Sequence, residues 1–224
     1  MVKMSNKLRL ALLISGGGTT AKAIISACFA NELAIDPVLV IASKKKIEGI
    51  IRIQETGFDK RNVVIADPRQ YKNEDEFAEK LITECKNRKV DLVGQYGWLP
   101  LTPKKFIQAY QGKIINQHPG PLDPPRPDFG GKGMWGRRVH CAVLYFRRAT
   151  NHDFWTEATT HLVTDQFDKG EVVRRRQIEI KPDDTVADLQ KKVLPIEHKV
   201  QIEALADFVD KKVRIYHRKK NLIK

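Results

Sequence analysis

The chain opens with an apolar run, a glycine turn and a helical stretch, and this order constrains the fold more than any other feature. Residues 8–14 are largely apolar, as expected of a strand buried on both faces of a parallel sheet. The turn Ser15-Gly16-Gly17-Gly18-Thr19-Thr20 follows, and the next residues suit a helix to about Ala30. Strand, glycine turn and helix together predict the start of a Rossmann-like unit.

The alternation of strand and helix continues through the first half of the chain. Further strands are predicted at residues 37–42, 62–66, 90–94 and 113–117. After a helix over 135–146, two more strands are predicted at 158–163 and 172–180. We therefore expect an α/β fold, namely a Rossmann-like doubly wound, mostly parallel sheet with an antiparallel C-terminal portion.

Several side chains suit the ends of the predicted helices. Asn73 with Glu76 resembles a capping box, and Thr102-Pro103 suits an N-cap followed by a first-turn proline. Asp183-Asp184 is expected to cap a helix that starts at Thr185. Pro195 is expected to break or kink that helix before the final helix ends near residue 210.

Length and composition fit an ordinary globular protein. With 224 residues, 42% of them hydrophobic, we expect a single domain over 1–224. Within it we expect two halves, at about 8–122 and about 123–210, and a basic tail at 211–224. No apolar run approaches the roughly 18 residues of a membrane span, and the basic N-terminus lacks a signal-peptide pattern, so we expect a cytoplasmic protein.

The cysteines and the basic residues exclude some classes of site. Three widely spaced cysteines argue against both a disulfide framework and a zinc site, and each is expected to be a small buried hydrophobe. The net charge of +13 favours anionic partners in general, but the lysines and arginines are scattered along the chain. We therefore expect no nucleic-acid partner. The other expectations are small-molecule substrates, no membrane partner, and a monomer or homodimer.

A short apolar strand ends in Asn116-Gln117-His118 and leads directly into Pro119. Alternate residues on a strand share a face, so Asn116 and His118 are expected to project together from the strand's end. The prolines that follow fix the backbone next to them. Such a pair suits either catalysis or a satisfied polar contact in a loop.

The glycine turn has three interpretations from the residues alone. Gly16-x-Gly18-x-x-Ala21 matches the dinucleotide fingerprint, but the lysines at 44–46 stand where NAD needs an acidic residue, which leaves NADP. The second interpretation is a phosphate cradle formed by backbone N–H groups at a helix N-terminus, with hydroxyl donors from the two threonines. The third is a tight turn that needs glycine for steric reasons only.

Asp168 lies in a predicted loop just before Gly170, where an aspartate commonly serves turn formation. If the loop folds back to His118, the carboxylate favours the imidazolium and raises the pKa of the histidine. Asn116, His118 and Asp168 would then form an acyl-transfer site without a covalent nucleophile. In such a site the amide and the imidazolium stabilise an oxyanion, and the His/Asp pair handles the protons of an attacking amine.

Four elements occur in this order along the chain: the 15–20 turn, Asn116-x-His118-Pro119, Thr160-His161-Leu162-Val163-Thr164-Asp165 with Asp168-x-Gly170, and Glu197-His198. Together they resemble the phosphoribosylglycinamide formyltransferase family, the folate-dependent enzymes of purine synthesis. The resemblance extends over residues 8–210. It implies transfer of a formyl group from the co-substrate 10-formyltetrahydrofolate to the amine of 5-phosphoribosylglycinamide by direct amine attack, in de novo purine biosynthesis.

The resemblance also implies that the half at about 8–122 binds the nucleotide and that the half at about 123–210 binds folate and is catalytic. It implies residue roles as well, and no metal. His118 matches the proton donor, Asn116 the partner of the formyl oxygen, and Asp168 the group that tunes His118. His161 matches a site-lining histidine. Residues that match the phosphoribosylglycinamide site are Gly16, Gly17, Gly18, Thr19, Thr20 and Glu197. Residues that match the folate site are Trp98, Leu99, Pro100, Leu101, Asn116, Thr164 and Asp165.

The chain departs from the family pattern at a few positions. Gly120 stands where the family commonly has serine, and Leu99 and Glu74 stand where it has arginines. A related formyltransferase acting on a sugar nucleotide or an aminoacyl-tRNA is one alternative. An NADP-binding oxidoreductase and a non-catalytic basic binding module are alternatives from other classes.

Overall fold

The computed structural model describes residues 7–122, 128–151 and 154–217, so the end of the expected basic tail at 211–224 lies outside the described residues. The chain divides into two compact units. The first unit contains the described residues up to Ile114, together with Leu205–Lys212. The second contains the described residues of Ile115–Ala204 and those from Val213 onward. The expectation of a single domain that divides near residue 122 stays a prediction.

The first unit is built on four parallel strands in the spatial order β3-β2-β1-β4. Residues 10–14 of the first strand are completely buried, which explains why this part of the strand is apolar at every position rather than at alternate ones. The strands are β1 (Leu8–Ile14), β2 (Ile35–Ala42), β3 (Val63–Ile65) and β4 (Leu92–Gln95). The helices are α1 (Thr19–Phe29), α2 (Glu48–Gln54), α3 (Glu74–Asn87) and α4 (Lys104–Ala109).

The second unit is antiparallel: β6 pairs with both β5 and β7 in opposite directions. Its apolar core lies around α5 and α6 and includes Phe129, Val139 and Leu189. These strand directions confirm the expected fold class, a parallel Rossmann-like portion followed by an antiparallel C-terminal portion. The elements are β5 (Ile114–His118), α5 (Arg137–Thr150), β6 (Trp155–Leu162), β7 (Val172–Glu179) and α6 (Val186–Val209), whose end belongs to the first unit.

Two predicted helix caps have different outcomes. The Asn73 side chain accepts a hydrogen bond from the backbone N–H of Glu76 at 2.9 Å, so the cap of α3 is confirmed. The predicted Thr102 cap of α4 is wrong, because Pro103 occupies the N-cap position without a side-chain bond. The Thr102 hydroxyl instead accepts a hydrogen bond from Nε2 of Gln95 at 2.6 Å.

The start of α6 is capped by Thr185 rather than by the preceding aspartates. Oγ1 of Thr185 accepts from the N–H of Asp188 at 3.1 Å, and the Asp188 carboxylate accepts from the N–H of Thr185 at 3.0 Å. Pro195 lies inside α6 without dividing it into two helices, contrary to a break there. The buried Leu189 and Val193 pack the preceding turns into the core, which offsets the backbone hydrogen bond that proline removes.

Two further observations concern membranes and cysteines. None of the helices described is long and apolar enough to cross a bilayer. Cys28 and Cys85 are free and buried as expected, whereas Cys141, on α5, is free and exposed, contrary to the expectation.

Candidate active site

The strand β5 presents Asn116 and His118 in the second unit. Antiparallel pairing with β6 places Asn116 opposite His161 and His118 opposite Thr159. His118 and His161 are each only 2% exposed. The register of two strands therefore brings a second histidine next to the predicted pair.

The loop between β6 and β7 returns Asp168 to the same place. Asp168 has a left-handed backbone (φ 54°), and Gly170 lies so close to β6 that a Cβ there would be 1.7 Å from the carbonyl oxygen of Leu162. Oδ1 of Asp168 accepts a hydrogen bond from Nδ2 of Asn116 at 3.3 Å. Its Oδ2 lies 3.7 Å from Nδ1 of His118. The structure thus brings together the three residues singled out as catalytic.

The protonation expected for His118 is not what the buried site favours. Burial lowers the pKa of His118 from its ordinary 6.5 to about 4, although the carboxylate of Asp168 acts in the opposite direction. The expectation that Asp168 keeps His118 charged is therefore corrected for the ligand-free protein. The carboxylate of Asp168 does raise the pKa of His118, as predicted, but the loss of hydration on burial lowers it by more. His118 is therefore neutral near pH 7.

Asp168 itself remains ionised. Burial alone would raise the pKa of Asp168, but a hydrogen bond with His161, the nearby His118 and the backbone N–H of Gly131 lower it below its ordinary value of 3.8. The carboxylate is 8% exposed and accepts the Gly131 N–H at 2.9 Å. The site thus holds a buried, hydrogen-bonded negative charge next to a neutral imidazole.

His161 connects Asn116 to Asp168. Its Nδ1 donates to the carbonyl oxygen of Leu162 at 2.8 Å, since that carbonyl can only accept. In the neutral ring Nε2 then accepts from Nδ2 of Asn116 at 3.1 Å, and in the charged ring Nε2 donates to Oδ1 of Asp168 at 3.3 Å. The histidine implied only as site-lining therefore contacts two of the three predicted catalytic side chains, and its protonation decides which of them its Nε2 hydrogen-bonds.

Glu197, on α6 in the second unit, is a buried carboxyl group. It is 6% exposed, and burial raises its pKa to about 8. No charged group among the described residues offsets the effect of burial on this pKa. A neutral carboxyl group of this kind can donate and accept hydrogen bonds, which suits a polar substrate.

The glycine turn lies in the first unit between β1 and α1. Gly18 has φ 65°, and a Cβ there would be 2.6 Å from Cα of Gly49, so no other residue fits without strain. Arg52 donates to the carbonyl oxygen of Gly17 at 2.7 Å and lies next to the turn. Gly16 and Gly17 are exposed. The turn thus presents backbone and a positive charge at the N-terminus of α1, as a phosphate site requires.

The two threonines of the turn differ in accessibility. Thr19 is half-buried at the first position of α1, whereas Thr20 is only 2% exposed. Thr19 is consequently the more accessible hydroxyl donor, while Thr20 packs into the first unit.

The segment predicted to hold folate in the first unit is an exposed apolar loop. Leu99 and Leu101 are 44% and 48% exposed, and Pro100 between them is half-buried. Trp98 is buried and stacks on Phe77 with the ring centroids 6.3 Å apart. The N–H of Leu99 donates to Oγ of Ser15 at 3.0 Å, so the loop is fixed to the end of β1.

The other predicted folate residues, Thr164 and Asp165, lie in the second unit in the loop before Asp168. Oγ1 of Thr164 bonds with the backbone carbonyl of Gln166 at 3.1 Å, which shapes the loop, and Asp165 is exposed. In the first unit, Glu74, which replaces a family arginine, accepts from the N–H of Lys104 at 2.9 Å. That carboxylate therefore satisfies the start of α4.

Residues 128–131 contribute backbone groups that the sequence did not reveal. The Phe129 carbonyl accepts from Nε2 of His118 at 3.0 Å, and the Gly131 N–H donates to Asp168. Every residue has these backbone groups, so residue types do not predict such contacts. Only the two adjacent glycines at 130 and 131 indicated that the backbone could lie close to other groups here. Within the described chain, no group of three or more His, Cys, Asp or Glu is arranged to hold a metal ion.

Comparison with known proteins gives the family. The profile described as Formyl transferase matches residues 8–205, which is most of the chain. The chain therefore belongs to the formyl transferase family.

Individual relatives are similar over nearly the whole chain. Phosphoribosylglycinamide formyltransferase, chloroplastic, of Arabidopsis thaliana is 28% identical over 206 residues, which cover 92% of this chain and 67% of the relative. Phosphoribosylglycinamide formyltransferase of Haemophilus influenzae is 24% identical over 207 residues, which cover 92% of this chain and 90% of the relative. The chain spans about two thirds of the length of the plant relatives it matches.

A solved structure has the same fold. Glycinamide ribonucleotide transformylase 1 from Symbiobacterium toebii superposes with a TM-score of 0.80 at 26% identity, covering 95% of this chain and 96% of the other. The structural similarity covers nearly all of both chains, so the α/β fold described above is the fold of that enzyme.

Proposed function

We propose that the protein transfers the formyl group of 10-formyltetrahydrofolate to the primary amine of 5-phosphoribosylglycinamide in purine biosynthesis. Membership of the formyl transferase family and the names of its relatives support the reaction. The observation that carries the proposal is the position of Asp168, which lies 3.3 Å from Nδ2 of Asn116 and 3.7 Å from Nδ1 of His118 although it is distant from both in sequence.

The proposed chemistry starts with attack of the neutral amine on the formyl carbon. The C–N bond to the product amine forms, and the carbonyl oxygen becomes an oxyanion that accepts a hydrogen bond from the Asn116 amide. Because His118 is neutral, its Nδ1 takes the proton that the attacking nitrogen loses. Asp168 stabilises the imidazolium formed at that moment.

Collapse of the tetrahedral intermediate completes the transfer. The bond between the formyl carbon and N10 of the folate breaks, and N10 takes the proton from His118. The products are the formylated amine and tetrahydrofolate, and His118 is neutral again. His118 thus acts first as a base and then as a proton donor, which keeps the role implied by the resemblance while starting from the neutral ring.

The other proposed contacts follow the chemistry of each site. Gly16 to Gly18 and Thr19 would bind the phosphate of the ribonucleotide at the N-terminus of α1. Glu197 would hydrogen-bond polar groups of the same substrate. Leu99, Leu101 and the 164–165 loop would contact the pterin. The cytoplasmic location, the absence of nucleic-acid, membrane and metal partners, and a monomer or homodimer are kept as proposals.

A formyl-transfer assay with a panel of amines tests the proposal. Tetrahydrofolate formation is measured with 5-phosphoribosylglycinamide, an amino sugar nucleotide and methionyl-tRNA as acceptors, each against a reaction without acceptor. We expect turnover with 5-phosphoribosylglycinamide alone. Turnover with another acceptor only would identify a related formyltransferase, and no transfer to any acceptor would refute the proposed function.

A further inference from the structure

Residues 128–131 bind both members of the His118/Asp168 pair through backbone groups. The carbonyl oxygen of Phe129 accepts a hydrogen bond from Nε2 of His118 at 3.0 Å. Two residues later, the N–H of Gly131 donates to Oδ2 of Asp168 at 2.9 Å. A displacement of this one segment would therefore alter the histidine and the carboxylate together.

The Phe129 carbonyl also determines which nitrogen of His118 can change its protonation. A carbonyl oxygen only accepts, so Nε2 of His118 keeps its proton in both the neutral and the charged ring. The proton that comes and goes is on Nδ1, the nitrogen 3.7 Å from Oδ2 of Asp168. The position of residues 128–131 thus assigns the acid–base chemistry of the site to Nδ1.

The segment is packed tightly on one side. The Phe129 ring is buried in the apolar core of the second unit and contacts Phe146 edge-on, with the centroids 5.9 Å apart. A Cβ at Gly130 would be 2.5 Å from Cδ2 of Leu122 and 2.8 Å from Cβ of Asp168. The backbone at Gly130 therefore lies directly against the aspartate.

On its other side, the segment is held by the side chain of Asp128. Oδ1 of Asp128 accepts from the N–H of Gly130 at 3.0 Å, which shapes the turn. Oδ2 of Asp128 accepts from Nζ of Lys169 at 2.7 Å, and Lys169 directly follows Asp168 in the chain. One carboxylate thus joins the segment that holds His118 to the loop that carries Asp168.

We propose that Asp128 and Lys169 are positioning residues that hold the Phe129 carbonyl on His118 and the Gly131 N–H on Asp168. The proposal rests on the proposed function for its effect on turnover, whereas its effect on His118 concerns the ligand-free protein. Neither residue needs to contact a substrate. Their ion pair joins two loops whose relative position fixes the geometry between Nδ1 of His118 and Oδ2 of Asp168.

The ion pair between Asp128 and Lys169 is partly exposed, so it can position other groups without contributing much to the stability of the protein. The side chains of Lys169 and Asp128 are 47% and 18% exposed, and ion pairs at such sites stabilise a fold only slightly. Small displacements of catalytic groups, by contrast, change rates strongly. The ion pair is therefore expected to affect the chemistry of His118 much more than the stability of the protein.

The first test measures the tautomer of His118 by long-range ¹H–¹⁵N correlation in the ligand-free, ¹⁵N-histidine-labelled protein. The His118 signals are assigned by their loss in His118→Gln. One variant is Lys169→Met, which keeps the side-chain length, and the other is Asp128→Asn, which keeps the acceptor for the N–H of Gly130. Lys169→Arg is the conservative replacement. Lys80→Met is the matched control, because Lys80 pairs with Glu84 at 2.6 Å with exposures of 36% and 15%.

We expect His118 in the wild type, Lys169→Arg and Lys80→Met to carry its proton on Nε2. In Lys169→Met and Asp128→Asn we expect a mixture of the two neutral tautomers. A proton on Nδ1 in the wild type would overturn the proposal. So would Lys169→Met and Asp128→Asn spectra indistinguishable from the wild type.

The second test is steady-state formyl transfer with the same variants. We expect Lys169→Met and Asp128→Asn to lower kcat about three- to tenfold with unchanged KM for either substrate, and Lys169→Arg and Lys80→Met to match the wild type. An unchanged kcat in both charge-removing variants would overturn the proposal. If the wild type transfers no formyl group, the proposed function fails, and the tautomer measurement still decides the positioning role.

Discussion

Nδ1 of His118 and Oδ2 of Asp168 face each other across 3.7 Å, beyond hydrogen-bond distance, although both side chains are almost completely buried. The carboxylate instead accepts from Asn116 and from the N–H of Gly131. Asp168 therefore acts on His118 through its charge rather than through a shared proton. This relationship explains why burial decides the protonation of His118 in the ligand-free protein.

Replacement of His118 by Gln or of Asp168 by Asn should lower kcat for formyl transfer about 10²- to 10⁴-fold, the usual range for loss of acid–base assistance. Binding of 5-phosphoribosylglycinamide should persist, because neither side chain is part of the proposed phosphate site. Turnover is measured with saturating substrates and binding by calorimetry. Asp183→Asn, at an exposed aspartate, is the control. Undiminished turnover in both site variants would contradict the assigned roles.

The pH dependence of kcat/KM distinguishes a neutral from a charged His118. With a pKa lowered to about 4, His118 is neutral from pH 6 upward, so its contribution to kcat/KM should stay constant from pH 6 to 8. A charged His118 would instead give a rate that falls as the pH rises through 7. The groups facing His118 that set this pKa are Asp168, His161 and Asp128. The profile is measured at constant ionic strength, and a loss of activity between pH 6 and 8 that disappears in Asp168→Asn would contradict the neutral assignment.

Glu197→Gln should stabilise the protein above neutral pH. The folded state keeps Glu197 protonated up to a pKa of about 8, whereas the unfolded chain loses that proton near 4.5. Stability is therefore lost as the pH rises from about 4.5 to 8, by as much as roughly 4 kcal/mol, and glutamine removes this loss. Urea unfolding of both proteins at pH 5 and pH 8 measures the effect. Equal differences between variant and wild type at the two pH values would show that Glu197 ionises normally.

Gly18→Ala and Gly16→Ala should differ sharply in stability. At Gly18 the backbone has φ 65° and a new Cβ would meet Cα of Gly49 at 2.6 Å, so alanine should cost about 2–4 kcal/mol. At Gly16 nothing lies within 4 Å of the new Cβ, so alanine should change the unfolding free energy by less than about 1 kcal/mol. Denaturant unfolding at pH 7 compares the two, and similar losses would contradict this account of the turn.

The sequence by itself determined the local elements and the order in which they occur. Apolar runs such as Leu8–Ile14, the glycine turn and the Asn73 cap depend on residues close together in the chain, so their patterns predicted strands, turn and helix correctly. The pair Asn116 and His118 was predictable for the same reason, because the alternation of a strand places both on one side. The predicted Thr102 cap was wrong because the Thr102 hydroxyl hydrogen-bonds the side chain of Gln95 instead, and residue patterns do not record such competition.

Only the tertiary structure decided what surrounds the pair. The register of β5 against β6 placed His161 next to Asn116, and Gly170 against Leu162 returned Asp168 to the site. Burial then lowered the pKa of His118, which no local pattern predicts, because desolvation depends on everything packed around the ring. The contacts of Phe129 and Gly131 are made by the backbone, which is the same at every position, so the sequence could not reveal which carbonyl and which N–H fix the histidine and the aspartate.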